Sequence, residues 1–221
     1  MLQRVSVGPG IGLALMLVLT GCGSTDEERV EAALLRLSDF PADDGWAIEP
    51  ETSDPAAAEF EAALEADLDR CEEQHDPTVD VRAADRDSDN FARGEFDVVG
   101  SNASVVSDQE LRDQLFLALP TLIDCAGTAL ETALEQTIGG GEGARVSVSA
   151  PSELDVSTEA ERTEGQSIQL GTDLGSFFVD LIAVEEGQTL LYVTFMHQGE
   201  IELTDEEEIL APAVRRMQDD V

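Results

Sequence analysis

The chain reads as an α+β domain, a mostly antiparallel sheet packed with helices in two or three layers. Three observations predict this. Amphipathic stretches with helix-capping signatures fill the first part of the chain and its end, alternating strand patterns cluster late, and the turns between those late strands are too short for parallel crossovers. A length of 221 residues with 42% hydrophobic content supplies one core and one domain.

The helices come first. Thr25-Asp26-Glu27-Glu28 has the capping-box spacing, and Val30, Leu34 and Leu37 follow on one side. The pattern breaks at Phe40-Pro41 and runs through Asp43-Asp44-Gly45-Trp46 to Asp54-Pro55. There Asp54 can cap and Pro55 can take the first helical position, where its missing N–H costs nothing. Phe60, Leu64, Leu68 and Cys71 then share a stripe expected to be buried. Ser107-Asp108-Gln109-Glu110 is a further capping box, opening a helix whose face holds Leu111, Leu115, Ala118, Leu122, Cys125 and Ala129. Pro120 should kink or interrupt it near Ala118 or Leu119, because it lacks a donor and clashes with the turn before it. The pattern stops before Gly139-Gly140-Gly141.

Strands occupy the gaps. Phe96 and Val98 alternate with acids, Gly100-Ser101-Asn102 reads as the tight turn of a hairpin, and Ala103 and Val105 continue beyond it. Val146 with Val148, and Ile168 with Leu170, alternate with polar residues, while the acidic stretch 152–165 between them reads as a surface loop. Residues 177–184 are more continuously apolar than the other strand segments, as expected of a central strand, and Glu185-Glu186-Gly187-Gln188 turns the chain into residues 190–196. A last helix opens with the capping box Thr204-Asp205-Glu206-Glu207 and places Ile209, Ala213 and Met217 on one face. In it the Glu206-Glu207-Glu208 run suits the helix N-terminus, and Arg215 and Arg216 suit its end.

The N-terminus carries an address. Arg4 precedes an apolar run over 11–19, too short to span a bilayer, which closes on Leu19-Thr20-Gly21-Cys22. That closing motif resembles the bacterial lipobox. The resemblance implies removal of 1–21, a diacylglyceryl thioether on Cys22, a short tether over 22–25 and an extracytoplasmic domain over 26–221, held at the membrane by its lipid. No later segment is expected to cross the membrane. The remaining cysteines, Cys71 and Cys125, are an even pair in an oxidising compartment, each on a helix core face. They are expected to form a disulfide, the alternative being two buried thiols.

Charge narrows the partners. The formal charge is −36 from 48 acidic and 12 basic residues, all of them arginine, and loss of 1–21 removes only Arg4, leaving −37. Such a chain repels nucleic acid, which is excluded as a partner. The acidity suits either adaptation to salt or a small cationic ligand, and an envelope protein is the other candidate partner.

Catalytic signatures are sparse. The absence of lysine removes the phosphate-loop motif, and there is no Gly-x-Ser-x-Gly, His-Glu-x-x-His or Cys-x-x-Cys. His75, beyond a helix end, and His197, at a strand end, are both expected to be exposed. Asp85, Asp87 and Asp89 have the alternate spacing of the first ligands of a calcium loop, but Asn90 stands where the loop wants glycine and Phe96 where it needs its closing glutamate. They are weak metal candidates, and neither a metal nor another cofactor is expected.

The first helix with Leu37-Ser38-Asp39-Phe40-Pro41 and Gly45-Trp46 resembles the opening of actinobacterial sensor-like lipoproteins, a group akin to the extracellular sensor domain of the mycobacterial kinase PknH. Cys71, Cys125 and residues 190–193 stand in similar places, and the similarity spans roughly 26–220. It implies an α+β sandwich with a cleft, a ligand-binding or sensing role and no catalysis. This chain departs by having one possible mature disulfide where the kinase domain has two, and by lacking a kinase domain. The function expected is that of a non-enzymatic cell-surface lipoprotein with a ligand-binding domain. The alternatives are a secreted hydrolase using an Asp/Glu pair or a structural envelope protein, and a hydrolase would need two carboxyls whose pKa values are pushed apart.

Overall fold

A computed structural model of the chain describes residues 24–49, 55–94, 96–138, 146–172, 175–198 and 203–219. The lipobox-like stretch 19–22, with Cys22, and the triple glycine lie outside the described residues. Four helices, α1 (Asp26–Ala33), α2 (Pro55–His75), α3 (Gln109–Ile138) and α4 (Leu203–Asp219), surround a sheet. Its strands are β1 (Ala47–Ile48), β2 (Ala84–Asp87), β3 (Phe91–Arg93), β4 (Asp97–Val105), β5 (Ser147–Val148), β6 (Ser152–Leu154), β7 (Arg162–Thr172), β8 (Gly175–Glu186) and β9 (Thr189–Gln198). The order is β1-β3-β4-β9-β8-β7-β5, with β2 also on β4 and β6 also on β7. Every pairing among the described residues is antiparallel.

Period-2 alternation sorts the central strands between two helical layers. On one face Ile182, Val184, Leu191, Val193 and Phe195 pack against Val30 and Ala33 of α1, against Leu34 just after it, and against Leu210, Ala213 and Val214 of α4. On the other, Ala183, Leu190, Val179 and Ile168 meet Leu115, Phe116, Leu119 and Ile123 of α3. Helix α2 packs on α3. The sheet therefore lies between two helical layers, with α2 packed against the outer one formed by α3.

The local signals of α1 hold. Glu28 N–H donates to Thr25 Oγ1, and Thr25 N–H donates to Glu28 Oε2, a reciprocal cap at 3.3 and 2.8 Å. Leu37, expected on the buried side, is 42% exposed, because the helix ends at Ala33 and the chain enters a 3₁₀ turn at Leu37–Asp39. Asp39 is instead the buried residue of that turn. It receives Arg216 of α4 through both carboxylate oxygens at 2.7 and 2.8 Å, and Arg216 also donates to the carbonyls of Ala32 and Leu34. One arginine thus satisfies the last carbonyls of α1 and ties the two helices of that layer together.

Cys71 and Cys125 form a disulfide, with Cα atoms 5.8 Å apart and 54 residues of separation. Leu68, placed on the same stripe, is 37% exposed, since α2 has a helix under it rather than a sheet. The Phe60 side chain lies outside the described residues. Helix α3 runs through Pro120 as one helix of 30 residues instead of breaking there. Pro120 is on the solvent side of the helix. Its cap is Asp108, whose carboxylate accepts from Glu110 N–H and Leu111 N–H, rather than Ser107. α3 is long and apolar enough to cross a membrane, contrary to the sequence expectation. Its apolar residues cover the sheet, and its disulfide holds α2 outside it. At Gly127 α3 lies close against the sheet: a Cβ there would stand 2.7 Å from Ile168 Cδ1 and 2.9 Å from Val148 Cγ1.

Two strand expectations fail. Gly100-Ser101-Asn102 is not a turn, because β4 runs straight through it between β9 and β2. Gly100 is there for clearance, since a Cβ would stand 2.7 Å from Asn90 Oδ1. The stretch 152–165 is not wholly a loop either. β6 pairs with β7, and Leu154 and Val156 close on the core.

Candidate functional site

Two arrangements grow from the first turns of α4. At 100° per residue its core stripe holds Ile209, Leu210, Ala213, Val214 and Met217, and the same stripe extended backwards reaches Glu206. Glu206 is accordingly 1% exposed, whereas Glu207 and Glu208 turn outwards. The acidic run is thus divided between the core and the surface, and is not wholly a solvated helix terminus.

Inside, Glu206 meets two residues of the sheet. Asp180 on β8 and His197 on β9 are offset by two positions across antiparallel strands, since Asp180 pairs with Phe195 and His197 with Phe178. Both face the α4 side. His197 is 3% exposed, not at the surface as its position near a strand end suggested; α4 covers that end of the sheet. Its Nε2 lies 2.8 Å from Asp180 Oδ2, and its ring stacks on Phe178 with 12° between planes. The nearest ligand-capable atoms of Asp180, His197 and Glu206 all lie within 4.8 Å of one another. The Oδ1 oxygen of Asp180 is buried and accepts no hydrogen bond. This cluster combines two carboxylates with one imidazole, a donor set suited to a divalent cation.

Outside, Glu207 and Glu208 line a cleft of about 460 Å³ between α4 and the segment 157–159. Glu159 adds a third carboxylate, Arg215 one positive charge, and Val214 and Ala211 an apolar floor. Ser157 N–H donates to Glu207 Oε1 at 2.9 Å, fixing one wall to the other.

The opposite layer holds ionic groups of another kind. Arg112 of α3 donates to Glu185 at 2.7 Å and to the Val106 carbonyl, and also reaches Gln109. Arg82 meets Asp76 at 2.6 Å together with Glu72 and Asp85. Burial disfavours the charge of Arg82, but these carboxylates outweigh it and hold its pKa above the ordinary value. Tyr192 donates to Asp76 at 3.3 Å; burial, and then the Asp76 charge, push the phenol well above its usual value.

The sequence candidates fall elsewhere. Asp85 and Asp87 do come together, both accepting from Asn102 Nδ2 at 3.1 and 2.9 Å, but their alternate spacing is the period of strand β2. Asp89 lies beyond that strand, outside the pair. His75 is the last residue of α2 and half-buried, where an exposed connector was expected. The reading of the residues missed Asp180 and Glu206. The signal for Glu206 was present, three positions before Ile209 on an apolar stripe; for Asp180 it was a lone acid inside the apolar run 177–184.

No protein-family model matches the chain, and no curated protein matches it. Among solved structures the chain is similar to the extracellular domain of PknH from Mycobacterium tuberculosis, with 11% sequence identity and a TM-score of 0.49, over 89% of this chain and 98% of that one.

Proposed function

We propose that the mature chain is a non-enzymatic lipoprotein, anchored through Cys22 on the extracytoplasmic face of the cell membrane, whose domain binds a small cationic ligand. The observation that carries the ligand class is the α4 cleft. Its volume of about 460 Å³ is within the usual range for small-molecule sites, and its lining holds three carboxylates and one arginine. The chain's strong net negative charge, −36 over the full sequence, concentrates cations around it. The lipobox and the Cys71–Cys125 disulfide support an oxidising, extracytoplasmic setting.

Spermidine tests the cleft. Calorimetric titration should show saturable binding that magnesium chloride at matched ionic strength does not reproduce, and the paired change Glu207→Gln with Glu208→Gln should abolish it. Binding that survives in the double variant removes the cleft from the reading. Intact-mass analysis of membrane-extracted protein should find a chain that begins at lipid-modified Cys22, and Cys22→Ala should release the protein or block its maturation.

A further inference from the structure

We infer that Asp180, His197 and Glu206 form a structural divalent-metal site, with zinc as the ion their donors fit best. The site is independent of the α4 cleft, and neither reading needs the other.

Three elements converge on it: β8 brings Asp180, β9 brings His197 and α4 brings Glu206, exposed by 4%, 3% and 1%. In a tetrahedral site whose fourth position a water would take, with bonds of about 2.0–2.2 Å, neighbouring donors stand about 3.3 Å apart. The present distances bracket that value, from 2.8 Å between His197 Nε2 and Asp180 Oδ2 to at most 4.8 Å across the cluster. An ion therefore needs only sub-ångström opening of one contact and a modest closing of the others.

Charge argues in the same direction. Bound as ligands, two carboxylates and an imidazole would together match the charge of one divalent cation. Elsewhere in this protein buried acids meet guanidinium: Asp39 meets Arg216, Asp76 meets Arg82 and Glu185 meets Arg112. Asp180 instead faces an imidazole, and its Oδ1 accepts nothing although it is buried. A carboxylate oxygen left in that state costs free energy that a metal bond would recover. One nitrogen and two oxygens select a borderline ion such as zinc over calcium or magnesium, which prefer all-oxygen shells. With ligands from both central strands and from α4, the ion would join the sheet to its last helix, as structural zinc does.

The full mature chain, stripped with chelator, is titrated with zinc chloride alone, both folded and during refolding, because burial can slow uptake. One equivalent should bind and raise the melting temperature. The fluorescence of Trp46, which lines a small hollow with Glu206 and Phe195, should change with it. Cobalt substitution should give the visible absorption of a low-symmetry site with nitrogen and oxygen donors. Glu206→Gln should weaken zinc binding by roughly 100-fold or more, beyond the 10–100-fold typical of outer-shell changes. His75→Ala and the Glu207→Gln/Glu208→Gln pair should leave it unchanged. The wild-type titration decides the matter even if Glu206→Gln folds poorly. Failure of the wild-type chain to take up zinc by either route overturns the inference. So does uptake that survives Glu206→Gln or disappears with His75→Ala, and so does preferential saturation by calcium.

Discussion

Strand β8 carries two buried acids an odd number of residues apart, and alternation sends them to opposite layers. Glu185 faces α3 and meets Arg112, whose other donors are taken by the Val106 carbonyl and Gln109. Asp180 faces α4 and meets His197 and Glu206. The first acid is neutralised by a residue that stays charged at any ordinary pH. The second is placed beside another carboxylate and an imidazole. The contrast teaches that, among the described residues, three buried acids, Asp39, Asp76 and Glu185, are each held by an arginine, whereas Asp180 is held by an imidazole beside a second carboxylate.

Breaking the arginine side should have the largest effect. Arg112→Ala strands Glu185 in the α3 layer and should cost about 3–5 kcal/mol in urea unfolding. A loss below about 1 kcal/mol would show that Glu185 does not depend on its partner. Removing the covalent link in the same layer comes next. Cys71→Ser should cost about 2–4 kcal/mol, mainly by freeing the unfolded chain, with no effect on the membrane anchor. Peptide mapping without reductant should recover the Cys71 and Cys125 peptides joined, and two free thiols would contradict the fold.

The third prediction sharpens the contrast directly. In chelated protein, Glu206→Gln removes one of two like charges from the α4 cluster and should change stability by less than about 1 kcal/mol, far below the Arg112 effect. Equal losses at the two sites would erase the distinction between the layers.

The α3 layer also predicts an alkaline response. Tyr192 is the one tyrosine of the chain, so tyrosinate absorbance reports it alone. Its folded pKa is raised by burial and then by Asp76, above the value of about 10 in the unfolded chain. Its contribution to stability is therefore complete below pH ~10 and is lost as pH rises through the folded value. Tyrosinate should appear only with unfolding, and Tyr192→Phe should flatten the alkaline fall in melting temperature. Ionisation near pH 10 in the folded protein would mean that the phenol is not shielded.

The smallest effect is global. Screening of 36 net negative charges should raise the melting temperature as NaCl goes from about 0.05 to 1 M, with KCl acting alike, since the Debye length falls to about 3 Å. A flat series would place the acids in locally compensated groups such as the α3 layer.

Local periodicity determined much of this protein unaided. The capping box at Thr25 and Glu28, the core-face positions of Cys71 and Cys125 and the central strand over 177–184 are all set by residues within a turn or two of one another. The antiparallel sheet followed from turn lengths, which are equally local. What only the tertiary structure decided were the positions whose neighbours are distant in sequence. Gly100 looks like a turn until Asn90 is seen occupying the space of its missing side chain. Asp39 and Arg216 have no visible relation across 177 residues until α1 and α4 share a layer. His197 looked like a surface residue because nothing near it in the chain announces a cover. Its burial comes from α4 folding back over the end of β9, and the same fold draws Glu206 off a solvated helix terminus and beside Asp180. A polar residue's chemistry depends on what excludes water from it, and here that excluding surface belongs to another element.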